Sequence, residues 1–190
     1  MKRWLAILAL LVIGGALGAG AIVASTFVNS YTSTEAFCTS CHSMAGIGSD
    51  PHYLQSAHRA NAVGVRPSCA DCHVPATNWF VETYAHISAG ITDGIAELRG
   101  AGRDPAAWAA RLPALADAVR EEMRRDDSAT CRKCHDAGTI HPASEAGRAA
   151  HAMLAQRQVT CIDCHFNIVH TPIPPSASFL HGSGLGRTRP

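Results

Sequence analysis

The eight cysteines of this 190-residue chain fall into four pairs of one spacing, and each pair is followed at once by a histidine. The four copies are Cys38-Thr-Ser-Cys41-His42, Cys69-Ala-Asp-Cys72-His73, Cys131-Arg-Lys-Cys134-His135 and Cys161-Ile-Asp-Cys164-His165. C-x-x-C-H is the pattern for covalent attachment of c-type haem: two thiols form thioethers and the adjacent imidazole is placed to reach the iron. A zinc site built from cysteine pairs does not need a histidine directly after each second cysteine. A disulfide framework would not repeat one fixed spacing. The cofactors expected are therefore four covalently bound haems. Only the first motif has a methionine two residues beyond its histidine, Met44. The chemistry this implies is one-electron transfer along a chain of haems, with one end unlike the others.

Six-coordinate haems need a second axial ligand, and the motif spacing points to candidates. The first two motifs are offset by 31 residues and the last two by 30; His58 lies 20 residues after Cys38 and His151 lies 20 after Cys131. A repeat of this kind makes His58 and His151 equivalent, and histidine is a common axial ligand of haem iron. His170, nine residues after Cys161, has no counterpart in the first half, and neither does Met44 in the second, where Ala137 stands. His58, His151 and His170 can thus complete three bis-histidine haems, without the spacing saying which serves which. The first haem is left with His42 and Met44, too close in sequence to span both its faces. One face of that haem is expected to be open, and beside a membrane an open face suits a lipid-soluble redox partner.

These side chains must be positioned by a small helical scaffold. Aromatic residues make up 6% and charged residues 16% of the chain, both low for an ordinary soluble domain. Four haems would fill much of the interior, so little side-chain core and no substantial sheet are expected. Trp4 to Val28 carries no charge, and Ser25 and Thr26 are its only polar residues. Such a run exceeds the roughly 20 residues that cross a bilayer as a helix. A cleaved leader is the alternative, with basic Lys2-Arg3 and a small-residue site at Ala19-Gly20-Ala21; the apolar run passes that site, which favours a retained anchor. Lys2 and Arg3 precede the span and the next basic residue is Arg59. The positive-inside bias then places the N-terminus in the cytoplasm and the haem-bearing part outside, on the periplasmic side of the inner membrane. Gly14 and Gly18 form a G-x-x-x-G, a pattern of helix packing and a weak pointer to an oligomer. A net charge near zero offers nothing to nucleic acid.

Along the chain, residues 29–37 read as a tether. Asp50-Pro51 is expected to open a short helix carrying His52 and His58. Asn78 to Leu98 reads as an amphipathic helix with Phe80, Tyr84, Ile87, Ile91, Ile95 and Leu98 at three- and four-residue spacing. His86 and Asp93 share a face roughly opposite that stripe, and periodicity alone makes that face solvated. Asp104-Pro105 opens a further helix, and Pro113 begins or kinks another that runs to about Arg125. The charged run Arg120 to Asp127 reads as a solvated face. Ser144 is placed to cap a short helix holding His151. The expected architecture is mainly α: residues 1–30 a membrane anchor helix, residues 31–172 a helical and irregular periplasmic tetrahaem domain built as two haem pairs, and residues 173–190 a loose tail.

At this point the residues resemble a family. The anchor, the four motifs, Phe37-Cys38-x-x-Cys41-His42-x-Met44 and Ser56-x-His58 are similar to the NapC/NirT/NrfH family. So are Gly64-Val65-Arg66, Cys72-His73-Val74-Pro75, Asp127-Ser128 ahead of Cys131, and Thr160-Cys161-Ile162-Asp163-Cys164-His165 with His170. The likeness covers about residues 1–172. It implies a membrane-anchored quinol dehydrogenase that takes electrons from menaquinol or ubiquinol and passes them through four haems to a periplasmic reductase, of the multihaem nitrite or molybdenum nitrate type. It implies that Met44 binds the first haem in place of His42, that His73, His135 and His165 are proximal ligands, and that His58, His151 and His170 are distal ones.

The resemblance also bears on the quinol site. NrfH-like members carry a lysine and, seven residues on, an acidic residue beside the first haem; His86 and Asp93 align with that pair. Ala76 stands where many NapC-type members have histidine, which leans towards the NrfH-like branch. Imidazole exchanges protons near neutral pH, which suits proton release from a quinol. Family members commonly form multimeric complexes with their reductase. Three other readings stand beside this one. The same wire run in reverse would carry electrons from a periplasmic oxidase, such as a hydroxylamine oxidoreductase, to quinone. A catalytic multihaem enzyme would reduce a small oxyanion at an open first haem, though only His52, His86 and Arg59 offer it polar groups there. A soluble storage cytochrome would require cleavage after Ala21.

Overall fold

The computed structural model describes residues 1–75, 77–155 and 159–182. Ala76 and residues 183–190 of the expected tail lie outside them. Eleven helices and no strand are present among the described residues. The first, α1 (Lys2–Thr32), has 31 residues and at 1.5 Å per residue is about 46 Å long. That exceeds a hydrocarbon layer of about 30 Å, so its last turns belong at the polar boundary. The helix runs two residues beyond the expected anchor. None of its apolar window is covered by the rest of the chain, and a Cβ added at Gly14 or Gly18 would meet nothing. Its one buried residue is Asn29, near the C-terminal end.

Short helices hold the motifs. α2 (Glu35–Cys38) opens motif 1, α3 (Ala45–Gly48) follows it, and α4 (Pro51–Gln55) is capped by the Asp50 carboxylate on the His52 N–H. α4 is shorter than the sequence suggests: Ser56 is extended, and His58 sits in the following turn instead of on the helix. α5 (Cys69–His73) is motif 2 itself. Its Ser68 cap and Asp71 form a reciprocal capping box, the arrangement that satisfies both orphaned N–H groups of a helix start.

Two long helices follow. α6 (Trp79–Leu98) starts at the predicted Asn78 cap. Its apolar stripe faces outward: Phe80, Tyr84, Ile87, Ile91, Ile95 and Leu98 are all exposed. The polar face instead meets the protein, the reverse of the usual surface helix. α7 (Pro105–Arg125) is one helix that passes through Pro113, so no second helix begins there. α8 (Ala129–Arg132) opens motif 3, α9 (Glu145–Ala155) carries His151, and α10 (Cys161–Cys164) is motif 4. Ser144 Oγ accepts the Gly147 N–H as expected of a cap.

Two expectations are corrected at the C-terminal side. Residues 173–182 are not loose, because α11 (Ala177–Gly182) buries Phe179 to 1% exposure against α7. The charged run starting at Arg120 is only partly a solvated face: Glu122, Arg125 and Asp127 are exposed, whereas Arg120 and Arg124 are packed. Arg120 is 4% exposed and donates to Asp117, Asn167 and the Ile173 carbonyl. Arg124 donates to Asp163, Glu121 and the Phe179 carbonyl, with its guanidinium 3.9 Å from the Phe179 ring centre. A run of mixed charges does not reveal that a phenylalanine 55 residues beyond Arg124 supplies a ring to cover it. The buried apolar residues among those described are only Tyr53, Ala70, Ile162 and Phe179, in keeping with an interior left to cofactors.

Candidate functional site

Three of the four motif histidines face a second imidazole. His73 and His170 have ring centres 6.1 Å apart, His58 and His135 6.1 Å, and His151 and His165 6.2 Å. A metal–imidazole nitrogen bond of about 2.0–2.1 Å, with about 1.1 Å more from nitrogen to ring centre, puts two rings on opposite sides of one metal about 6.2–6.4 Å apart. The three spacings fit a bis-histidine iron without rearrangement of the chain. The donor set therefore suits haem at motifs 2, 3 and 4, with His170, His58 and His151 opposite the motif histidines. Burial holds the imidazoles of His73, His170 and His58 below their ordinary protonation range, and only a neutral imidazole has a lone pair for a metal.

The thiols arrange the motifs in order. Cys38 of motif 1 is within hydrogen-bonding reach of Cys69 of motif 2, and Cys131 of motif 3 within reach of Cys161 of motif 4. Cys72 at the end of motif 2 neighbours Lys133 and Cys134 of motif 3. The succession is thus 1–2–3–4, with two matched pairs joined in the middle. Ser128, fully buried in the left-handed region at φ 53, ties the second pair. Its Oγ accepts from the Thr160 hydroxyl at 2.8 Å and from the Ile162 N–H at 3.1 Å. Asp163 accepts from the Thr160 N–H and pairs with Arg124 Nε at 2.6 Å. Asp50 places His170: its carboxylate accepts from the Thr171 N–H and hydroxyl, and Tyr53 stacks on the His170 ring at 5.9 Å. An open cavity of about 260 Å³ lies between α4 and residues 167–170.

Motif 1 differs. His42 does not belong to such a ring pair, and its Nε2 lies 2.8 Å from the Glu97 carboxylate of α6. Met44 is half-buried at the start of α3. On the same face of α6, His86 contacts the end of the long helix: Thr32 Oγ1 lies 3.0 Å from Nδ1 and Ser33 Oγ 3.2 Å from Nε2. Asn29 donates to Thr83 in the same seam. His86 is therefore not on a solvated face. Asp93 between them remains exposed. Partial desolvation and then the charge of Glu97 push its carboxyl above its ordinary value. One helix face thus links the end of α1 to motif 1 through His86, Asp93 and Glu97.

Sequence reasoning named His86 and Asp93 but missed Glu97, Arg120, Arg124 and the Asp50–Thr171 tie. Glu97 had a legible signal, since it lies four residues beyond Asp93 on one helical face. The arginine contacts had none, because their partners are distant in sequence.

Motifs, ring pairs and anchor together define a multihaem c-type cytochrome carried on one N-terminal apolar helix. The chain belongs to the NapC/NirT cytochrome c family, whose N-terminal-region model matches residues 1–175. It is a tetrahaem cytochrome of electron transport and a single-pass membrane protein. Among its relatives is the cytochrome c-type protein TorY of Haemophilus influenzae, 35% identical over 156 residues, 81% of this chain and 41% of that protein. TorC of Escherichia coli K12 is 34% identical over 191 residues, 93% of this chain and 45% of that protein. The denitrification system component NirT of Stutzerimonas stutzeri is 34% identical over 170 residues, covering 83% of this chain and 81% of the relative. The chain spans less than half the length of the TorY and TorC relatives. No solved structure matches it.

Proposed function

We propose that this protein oxidises a membrane quinol, menaquinol or ubiquinol, at the α6 face beside motif 1 and delivers the electrons to a periplasmic reductase. The observation that carries this reading is that one face of α6 holds His86 against Thr32 and Ser33 at one end and Glu97 against His42 at the other. It puts titratable side chains between the end of the membrane helix and the first haem motif. Bound at the eight motif cysteines, the haems would supply one-electron transfer, chemistry that belongs to the cofactor while the protein positions it.

The chain's own residues take the remaining roles. Met44 would hold the haem at motif 1, and His73, His135 and His165 would hold the others from the motif side. His170, His58 and His151 respectively stand opposite them. Asp93, with its raised carboxyl pKa, receives a proton from the quinol hydroxyl, and His86 borders the same site from the α1 side. The uncharged outer stripe of α6 suits a lipid-soluble substrate arriving from the bilayer. Motif 4, last in the succession, is the end from which the partner draws electrons. The N-terminus lies in the cytoplasm and the haem domain in the periplasm. A relative named as a denitrification component favours a nitrogen-oxide reductase as the partner.

The test is a quinol-oxidation assay on membranes, with haem reduction followed optically in wild type and Asp93→Ala. Fast wild-type reduction that the variant slows at least tenfold supports the site. Wild-type haems that stay oxidised with every quinol tried overturn the function. A fast variant beside a fast wild type removes only the role of Asp93.

A further inference from the structure

Glu97 of α6 reaches the end of motif 1, contacting His42 and the adjoining Ser43. Its side chain is 13% exposed, and a carboxylate largely withdrawn from water needs partners. Oε1 accepts from the Ser43 backbone N–H at 3.3 Å and from the Ser43 hydroxyl. Oε2 lies 2.8 Å from His42 Nε2 and has no aligned hydrogen bond of its own, so the contact is a close approach of acid and imidazole. The loop after α6 closes the other side. Gly102, at φ 77, sits so near that a Cβ would fall 2.6 Å from the Ser43 Cα. Residues 42 and 43 are therefore held from two directions. The other three motif histidines face an imidazole; His42 alone faces an acid.

We propose that Glu97 selects the axial ligand of the first haem: it holds His42 Nε2 on the α6 side and leaves the iron to Met44. Glu97 is a positioning residue that acts through His42 and Ser43. The inference deepens the reading above and rests on Met44 being the ligand there. A thioether in place of an imidazole raises a haem's potential, so ligand choice at this position sets the acceptor that faces the quinol.

The experiment uses the full-length tetrahaem protein in detergent. It reads haem count, the long-wavelength charge-transfer band of the ferric, open-faced first haem, and the four reduction potentials. Wild type should show the band from one haem and lose it in Met44→Leu. Glu97→Ala should keep four haems, lose more than nine-tenths of the band and shift one potential downward while the other three stay. Glu97→Gln, whose amide still reaches Ser43 and His42, should keep at least half. A full band in Glu97→Ala overturns the proposal, and so does loss of the first haem, which would make Glu97 an assembly residue. A band absent from wild type, or surviving Met44→Leu, overturns the Met44 reading and the inference with it, so the two failures read differently.

Discussion

His58 and His135 face each other edge-on with ring centres 6.1 Å apart, although 77 residues separate them in the chain. His73 and His170, 97 residues apart, make the reciprocal contact. The first half supplies an imidazole opposite motif 3, and the second half supplies one opposite motif 2. Only His151 stays within its own half, opposite His165. Although His58 and His151 sit at equal spacing from their motifs, they are thus not structural equivalents.

Single substitutions of the facing histidines should each change one haem. His58→Ala, His170→Ala and His151→Ala should each retain four covalent haems and convert one from low spin to high spin. A double variant should convert two. Electron paramagnetic resonance on the oxidised protein reads this as high-spin signal added to that of the open-faced first haem; no increase over wild type in any single variant would remove the pairing.

Arg124 joins α7, motif 4 and α11 in one contact set, with side chains 15% exposed for Arg124 and 3% for Asp163. Removing one partner of such a buried pair strands the other charge. Arg124→Ala should therefore cost about 3–5 kcal/mol, measured by thermal unfolding of the haem-loaded protein. The same variant should expose Phe179 and speed proteolysis within 173–182. An unchanged melting temperature would show the contact to be dispensable.

Ser128 separates hydrogen bonding from backbone strain. Ser128→Ala loses the bonds from Thr160 and Ile162 and should cost about 1–3 kcal/mol. Ser128→Gly loses the same bonds but accepts φ 53 without penalty, since glycine populates the left-handed region freely. Glycine should therefore be the milder variant. Equal losses would mean that the backbone conformation contributes nothing.

Acid should release the C-terminal packing. Burial alone would raise the Asp117 carboxyl, but hydrogen bonds from the Ser176 hydroxyl, Arg120 and the Ser176 N–H outweigh it and hold the pKa below the ordinary 3.8. Asp50 is lowered likewise: hydrogen bonds from Thr171 and His52 overcome its desolvation. A carboxylate whose folded pKa is depressed stabilises fully above its unfolded value, and the contribution is lost as pH falls through the folded one. Hydrogen exchange of residues 171–182 should thus accelerate below the ordinary aspartate range, and Asp117→Asn should flatten that dependence for residues 176–182. A pH-independent rate in wild type would exclude it.

Much of this was legible because the residues involved are close in sequence. The C-x-x-C-H spacing, the apolar run and the caps at Asp50, Asn78, Asp104 and Ser144 are local signals, and each marks an element in the structure. What was not legible is long-range. The stripe of α6 looks like a core face, yet it turns outward because Thr83, His86 and Glu97 bind the end of α1 and motif 1. Arg120 and Arg124 look solvated because nothing nearby announces Phe179. Residues after 172 look loose because proline, serine and glycine dominate them, although Ser176 caps a turn onto α7 through Asp117.

The thiol pairs bear on how the protein is made. In the folded chain burial, then the neighbouring Cys69, pushes the Cys38 thiol up to about 11. Hydrogen bonding to Cys161 and burial push Cys131 upward as well, while the same bond pulls Cys161 down to about 6. Thiolate is the reactive form, so in the folded chain Cys131 and Cys161 are unequal nucleophiles, and the thiols of each touching pair lie within reach of each other. An extended chain presents eight equivalent thiols; a compact one does not. Haem attachment to the extended chain is therefore expected to outpace attachment to the compact one, so the contacts that align the motifs would also bear on the order in which the protein is assembled.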